Sequence, residues 1–256
     1  MTSEGTGAFA KHPPTTRDAA AAARRRRRPR LWQSGYLLLR SLATQLETQA
    51  KLRLAGFGGV DIVDVGCGTR PYEPLFRPYA KSYVGVDVQA GPTVDLVAPA
   101  ESLPFDDASF DCAVCTQVLE HSEEPHTVCA ELYRVLRPTG VAFVSTHGVA
   151  RYHAAPDSAA GDYWRWTHAG LEKLLRSAGD WREVKIWPNG GTAPALAYLV
   201  GRESEVVASK VRLLAGVAPL VLAINLLAWG LDAASLRVFP NSQPGLAPNY
   251  LAVAVR

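Results

Sequence analysis

The residues that carry the most chemistry sit in Asp64-Val65-Gly66-Cys67-Gly68-Thr69. The two glycines remove side chains, so backbone N–H groups there can reach a ligand. A tight strand-to-helix turn would use the same residues. Three further features favour a ligand. Asp87 comes about twenty residues downstream, where a carboxylate accepts both hydroxyls of a ribose. Ala100-Glu101-Ser102-Leu103-Pro104-Phe105 supplies backbone that can read an adenine edge. Asp106-Asp107-Ala108-Ser109-Phe110-Asp111 then leads back into apolar sequence.

These residues need elements to hold them. Val60 to Val65 is short, rich in Val and Ile and bounded by glycine, which predicts a buried parallel strand. Further strands are expected at Ser82 to Asp87, around Val94 to Val97, at Phe110 to Thr116 and at Val141 to Thr146. The apolar spacing of Leu31, Leu38, Leu39, Leu42, Leu46 and Leu52 predicts a helix over 31–56. Pro125 to Leu136 is a second helix, opened by proline and stopped before Pro138-Thr139-Gly140. His168 to Ala178 is a third. Glu183 to Trp187 and Asn249 to Val255 read as the last strands. Strand and helix in alternation imply an α/β fold with a doubly wound parallel sheet, whose crevice opens at the carboxyl ends of the strands.

Asp64 to Thr69, Val86-Asp87-Val88, Ala100 to Phe105, Ser109-Phe110-Asp111 and Gln117-Val118-Leu119-Glu120-His121 occur in that order. As a set over residues 58–150 they resemble the small-molecule class I S-adenosylmethionine-dependent methyltransferases, the methyltransferase type 11-like group that includes ubiquinone methyltransferases. The resemblance implies a Rossmann-like seven-stranded sheet with helices on both faces. Its final strand is antiparallel, beside the fifth, after a helical insertion. It implies S-adenosyl-L-methionine as cofactor. Gly66, Cys67 and Gly68 would pass its amino-acid part, and Asp64 would help hold its ammonium. Asp87, with Val88 beside it, would take the ribose. Ala100 and Glu101 would flank the adenine, and Gln117 would face the methionine portion. Two positions depart from the family pattern. Arg70 stands where glycine is usual, followed by Pro71-Tyr72 as in a subset of members. Pro99 stands where an aspartate often contacts the adenine amino group.

Methyl transfer from a sulfonium is an in-line displacement, so alignment supplies much of the rate and a base matters only when the acceptor must lose a proton. His147, His121 and Tyr163 are the candidates for that base, ahead of His153 and His168, because histidine titrates near neutral pH. His147 ranks first, being just past the fifth strand. Asp162-Tyr163-Trp164-Arg165-Trp166-Thr167 would wall the acceptor with aromatic faces, offer Arg165 to an anionic group and cap the next helix through Thr167. A simple cap over the sheet edge is the plainer alternative. No metal cluster is visible, so metal dependence is not expected.

The chain has 256 residues and a formal charge of +3. Residues 1–30 carry eight basic and two acidic residues, a surplus of six, which leaves the rest of the chain at −3. This tail reads as disordered and solvated. Its run Arg24 to Arg28, Arg30 could otherwise touch anionic lipid or nucleic acid. The arginines are followed by an interrupted apolar stretch, unlike a secretion signal. The single C-x-x-C, Cys112 and Cys115, lies in a strand where residues three apart face opposite ways. Buried thiols in a reducing cytoplasm therefore explain it better than a metal or redox pair.

Residues 31–256 are read as one domain, with the cofactor core at 58–150, an acceptor-side cap at 151–182 and a helical insertion at 203–240. Leu213 to Leu231 has Asn225 as its sole polar side chain. A single crossing of a membrane would strand Tyr250 to Val255 on the wrong side, and Pro219 breaks the run. Helices Glu203 to Val217 and Leu220 to Leu236 fit better. Such a pair suits a peripheral contact at the inner face of the membrane, a lid over a lipid-linked acceptor, a homodimer contact or a buried cap. A small-molecule or lipid- or glycan-linked acceptor follows. A non-catalytic module recruiting partners at a membrane is the alternative. A nucleic-acid enzyme is disfavoured, because Thr116-Gln117-Val118-Leu119 stands where amino-methylating enzymes of that kind carry Asn/Asp-Pro-Pro-aromatic.

Overall fold

The computed structural model describes residues 15–153, 161–210, 214–238 and 245–256. The strands are β1 (Val60–Val65), β2 (Ala80–Asp87), β3 (Leu96–Val97), β4 (Phe110–Thr116), β5 (Leu136–His147), β6 (Glu183–Pro188) and β7 (Asn249–Val255). The helices are α1 (Thr16–Arg27), α2 (Tyr36–Leu54), α3 (Glu73–Phe76), α4 (Pro125–Val135), α5 (His168–Ala178), α6 (Thr192–Lys210) and α7 (Leu214–Val238).

One seven-stranded sheet runs β3-β2-β1-β4-β5-β7-β6. β1 to β5 pair in parallel, and β7 enters antiparallel between β5 and β6, with Phe143 opposite Val253. The order of strand addition reverses between β1 and β4, so the crevice at the switch point lies over the carboxyl ends of β1, β2 and β4. This is the Rossmann-like sheet with an antiparallel last strand expected from the sequence.

Each face of the sheet carries its own apolar layer. Val63, Val65, Ala113, Cys115 and Val144 pack under α4 and α5, through Val128, Leu132, Leu171 and Leu175. Ile62, Cys112, Val114, Phe143 and Val253 pack under α2 and α3, through Leu42, Leu46 and Phe76. Each fully buried leucine of such a layer contributes roughly 1.5–3 kcal/mol. Cys112 and Cys115 fall in opposite layers, as strand alternation requires, and both thiols are buried.

Three sequence expectations are corrected. Residues 16–27 of the expected disordered tail form a helix; residues 1–14 lie outside the described residues. Thr15 accepts from the N–H of Asp18 while Asp18 accepts from Thr15, a capping box that starts an alanine-rich run of high helix propensity. The predicted helix over 31–56 is confined to 36–54, and Leu52 is solvent-exposed rather than part of the apolar face. The hydrophobic pair is set at 192–210 and 214–238, not split at Pro219. Pro219 lies in the second turn of α7, where one lost i→i−4 bond is tolerated beside packing on α6. Residues 211–213 lie outside the described residues.

Candidate functional site

β1 ends at Val65 and the chain turns at Gly66, φ +67°. A Cβ there would stand 2.2 Å from Val118 Cγ2, so only glycine fits. The Cys67 N–H donates to Val86 O at 3.0 Å. The Gly68 N–H donates to Asp87 Oδ2 at 2.9 Å, and the Gln89 N–H to Asp87 Oδ1 at 3.0 Å. Thr93 Oγ1 donates to Gly68 O at 2.6 Å. The tips of β1 and β2 are thus tied together, with Asp87 as the knot. A Cβ on Gly68 would meet nothing within 4 Å, so this loop faces open space.

That geometry fits a nucleoside. An ionised carboxylate has about four lone-pair directions, and two N–H donors leave room for two hydroxyls on Asp87. Val88, beside it, is exposed and offers an apolar surface at the crevice mouth. Ala100 packs on the sheet, and Glu101 accepts a hydrogen bond from Ser122 Oγ, which joins the segment after β3 to the loop after β4. Gln117 has φ +60°, a strained value for a side-chain-bearing residue. Its N–H donates to Ser145 O at 2.8 Å and its Nε2 to Ser145 Oγ at 3.1 Å. The strain is held by β5.

Two residues are more committed to the protein than the sequence suggests. Asp64 is buried and accepts from Tyr83 Oη at 2.7 Å. Burial pushes its carboxyl up to about 7. Burial also pushes the Cys67 thiol up to about 12, so it is inert at neutral pH. Arg70, with φ +49°, folds back over β2 to pair with Asp95 and lies 5.7 Å from the Tyr83 ring. Asp95 in turn accepts from the Gly85 N–H at 2.8 Å. The family's glycine is replaced here by a clamp on β2.

On the acceptor side, Glu120 is fully buried. Thr146 Oγ1 donates to its Oε2 at 2.8 Å, while Oε1 has no hydrogen-bond partner among the described residues. The Glu120 carbonyl accepts from the Tyr163 N–H at 2.8 Å, so the aromatic segment is hung from the loop after β4. Trp164 and Trp166 stack with centroids 5.7 Å apart, and Thr167 caps α5 as predicted. Arg165 is spent internally. It makes 2.6 Å contacts to both oxygens of Asp162 and also donates to Ala150 O and Arg151 O, which corrects its assignment to an acceptor's anionic group.

The base candidates also shift. His147 is buried 3.5 Å from Glu120 Oε1, and desolvation brings its imidazole down to about 3. A general base needs a pKa nearer the working pH, so burial works against His147, the candidate ranked first. Tyr163 Oη donates to Glu123 at 2.8 Å on the surface, and His168 packs on Tyr250. His121 and His153 lie together, rings 5.0 Å apart, and His153 is 5.1 Å from His147. The sequence gives no sign of this grouping, because 32 residues and a crossover separate His121 from His153.

Residues 63–144 match the family model described as "Methyltransferase domain". Among curated proteins, the chain is 31% identical over 133 residues to a "Probable S-adenosylmethionine-dependent methyltransferase" of Mycolicibacterium smegmatis, covering 47% of this chain and 52% of that one. It is 30% identical over 119 residues to the malonyl-acyl-carrier-protein O-methyltransferase of Serratia marcescens, covering 41% and 46%. The chain thus spans about half the length of these curated relatives. Among solved structures, a SAM-dependent methyltransferase from Archaeoglobus fulgidus superposes with a TM-score of 0.50 at 14% identity, over 83% of this chain and 94% of that one, a likeness of fold.

Proposed function

We propose that this chain transfers a methyl group from S-adenosyl-L-methionine to a small-molecule or lipid-linked acceptor, a reading supported by the match of residues 63–144 to the methyltransferase-domain family and by the similarity to S-adenosylmethionine-dependent relatives. The observation that carries the reading is Asp87 at the tip of β2, with two acceptor directions free beside a Gly68 that faces open space. When bound, the cofactor supplies a sulfonium methyl that transfers without covalent participation by the protein. The chain's own part is to bind and orient. Asp87 takes the ribose hydroxyls, Val88 and Ala100 border the adenine, and Glu101 fixes its loop through Ser122. Asp64, braced by Tyr83, lies behind the turn near the amino-acid end. Gln117, strained and bound to Ser145, sets the wall where donor and acceptor meet.

The acceptor enters over the loop after β4, under Tyr163 to Trp166. The exposed Tyr163 and Trp164 rings offer an apolar rim, which suits a sugar face or a lipid chain. Titration of the full chain with S-adenosylhomocysteine by calorimetry tests the cofactor half. Transfer of labelled methyl from the donor to an extract of small molecules and lipids tests the other. No uptake of product at millimolar concentration would end the proposal.

One specific observation supports membrane association of this enzyme. The span Gly216–Val238 is long and apolar enough to cross a membrane by length and composition, and 17% of its apolar 18-residue window is buried. Leu220 and Leu227 face outward, and Trp229, Leu231 and Leu236 are exposed where α7 borders a cavity shared with α2. Asn225 anchors the other side by donating to Leu31 O and Gln33 O at 2.8 and 2.9 Å, and Glu205 of α6 accepts from Ser34. α6 and α7 thus lie against the body, with the apolar face outward, as for a helix resting in the headgroup region.

A further inference from the structure

We propose that His121, His153 and Glu120 form a divalent-cation site of the two-histidine, one-carboxylate kind, with Zn²⁺ as the reference ion. A carboxylate oxygen of Glu120 and one ring nitrogen from each histidine lie within 4.8 Å of one another. An ion at the centre of such a triangle reaches all three ligands after small side-chain shifts.

The hydrogen bonds set the rings for this role. His121 Nδ1 is 2.6 Å from Gly161 O. His153 Nδ1 is 3.0 Å from Arg151 O and 3.2 Å from Asp162 Oδ2. Main-chain carbonyls and carboxylates only accept, so each Nδ1 carries the proton and each Nε2 keeps its lone pair. A histidine held through one nitrogen by a carbonyl or carboxylate, with the other free, is the usual outer-shell arrangement around a metal ligand. Asp162 is itself fixed by Arg165, so the His153 ring is braced two layers deep.

Glu120 supplies the second, independent observation. It is fully buried, Thr146 satisfies one oxygen, and Oε1 has no hydrogen-bond partner among the described residues. The one guanidinium of the aromatic segment is spent on Asp162. A buried carboxylate oxygen without a hydrogen bond is costly, and a divalent ion supplies both charge and ligation. His147, 3.5 Å from Oε1, stands where it can join or buttress the set.

Three protein ligands leave coordination positions open, as in catalytic rather than structural sites. Glu120 and His121 lie on the loop after β4, Glu120 three residues beyond Gln117, and His153 lies after β5. If methyl transfer is the activity, the open position faces the acceptor. An ion there would bind an acceptor hydroxyl and lower its pKa, so that the proton passes to bulk water, the oxygen takes the methyl from the sulfonium and S-adenosylhomocysteine leaves. This last step rests on the proposed function; ion binding does not.

The test uses the full chain, stripped with chelator and titrated with Zn²⁺ by calorimetry and with Co²⁺ by visible absorption. One ion per chain is expected, with Co²⁺ d–d bands of a low-symmetry site. His121→Asn and His153→Asn keep an N–H near the Nδ1 position and delete Nε2. Each should weaken binding by about tenfold or more and alter the Co²⁺ spectrum, while S-adenosylhomocysteine affinity holds. Ion binding that survives both substitutions unchanged, or no stoichiometric uptake by a chain that binds S-adenosylhomocysteine, overturns the site. Ion uptake without binding of S-adenosylhomocysteine keeps the site and removes the methyltransferase reading instead.

Discussion

The guanidinium of Arg70 lies across the backbone of Gly85: a Cβ built on that glycine would come within 2.4 Å of Nη2 and 2.6 Å of Nε. The two residues sit on the turn after β1 and on β2, so this contact holds the floor of the crevice in shape. Gly85→Ala should displace Arg70 from Asp95 and cost about 1–3 kcal/mol of stability, read by urea unfolding. In an Arg70→Ala background the same change should cost little. A penalty of equal size in both backgrounds would mean that the guanidinium is not what Gly85 accommodates.

Asp87 both knots the glycine loop and faces the ribose. Asp87→Ala should weaken S-adenosylhomocysteine by about 1–3 kcal/mol, the loss of charge-assisted hydrogen bonds to two hydroxyls. Asp87→Asn keeps one acceptor oxygen and should fall between. Calorimetry that finds wild-type affinity in Asp87→Ala removes the ribose assignment.

Much of this was readable from the residues. An apolar run bounded by glycine gave β1, and the apolar runs Phe110 to Thr116 and Asn249 to Val255 gave β4 and β7, because fully buried strands are continuous apolar runs. Asp87 was readable because its place at a strand tip follows from local spacing. Arg70 was visible only as a departure: nothing local announces that it will turn back onto Gly85 and Asp95, 15 and 25 residues away. For His147, sequence position gave a place just past the fifth strand and said nothing of its burial against Glu120. The cluster of His121 with His153 arises from the path of the chain after β5, and no periodicity encodes that path. Thr15 with Asp18 was a legible capping box that the arginine run obscured.

The outer face of α7 makes a prediction about membranes. The full chain should sediment with vesicles of anionic phospholipid. Leu227→Glu with Trp229→Glu should weaken that partitioning by at least about tenfold, because each buried side chain of this size is worth roughly 1.5–3 kcal/mol. A wild-type chain that stays in the supernatant and sediments as a dimer would assign the face to a second copy instead.

The buried Asp64 makes stability depend on pH in a stated direction. Its folded carboxyl stands at about 7, against 3.8 for the ordinary group, because burial disfavours the charge more than Tyr83 relieves it. The folded chain therefore holds a proton that the unfolded chain has already released between those values. A group raised on folding adds stability that is complete below the unfolded pKa and is lost as pH climbs through the folded one. From pH 5.5 to 7.5 this one residue should remove about 2 kcal/mol from the cofactor-free protein. Asp64→Asn keeps the oxygen that accepts from Tyr83 and cannot ionise, so its unfolding free energy should lack that slope. Urea titrations of both chains at the two pH values give the comparison, and parallel behaviour would show that Asp64 keeps its charge when folded. A bound cation beside Asp64 would favour the carboxylate, so saturating S-adenosylhomocysteine, whose ammonium is expected nearby, should flatten the slope in the wild-type chain as well.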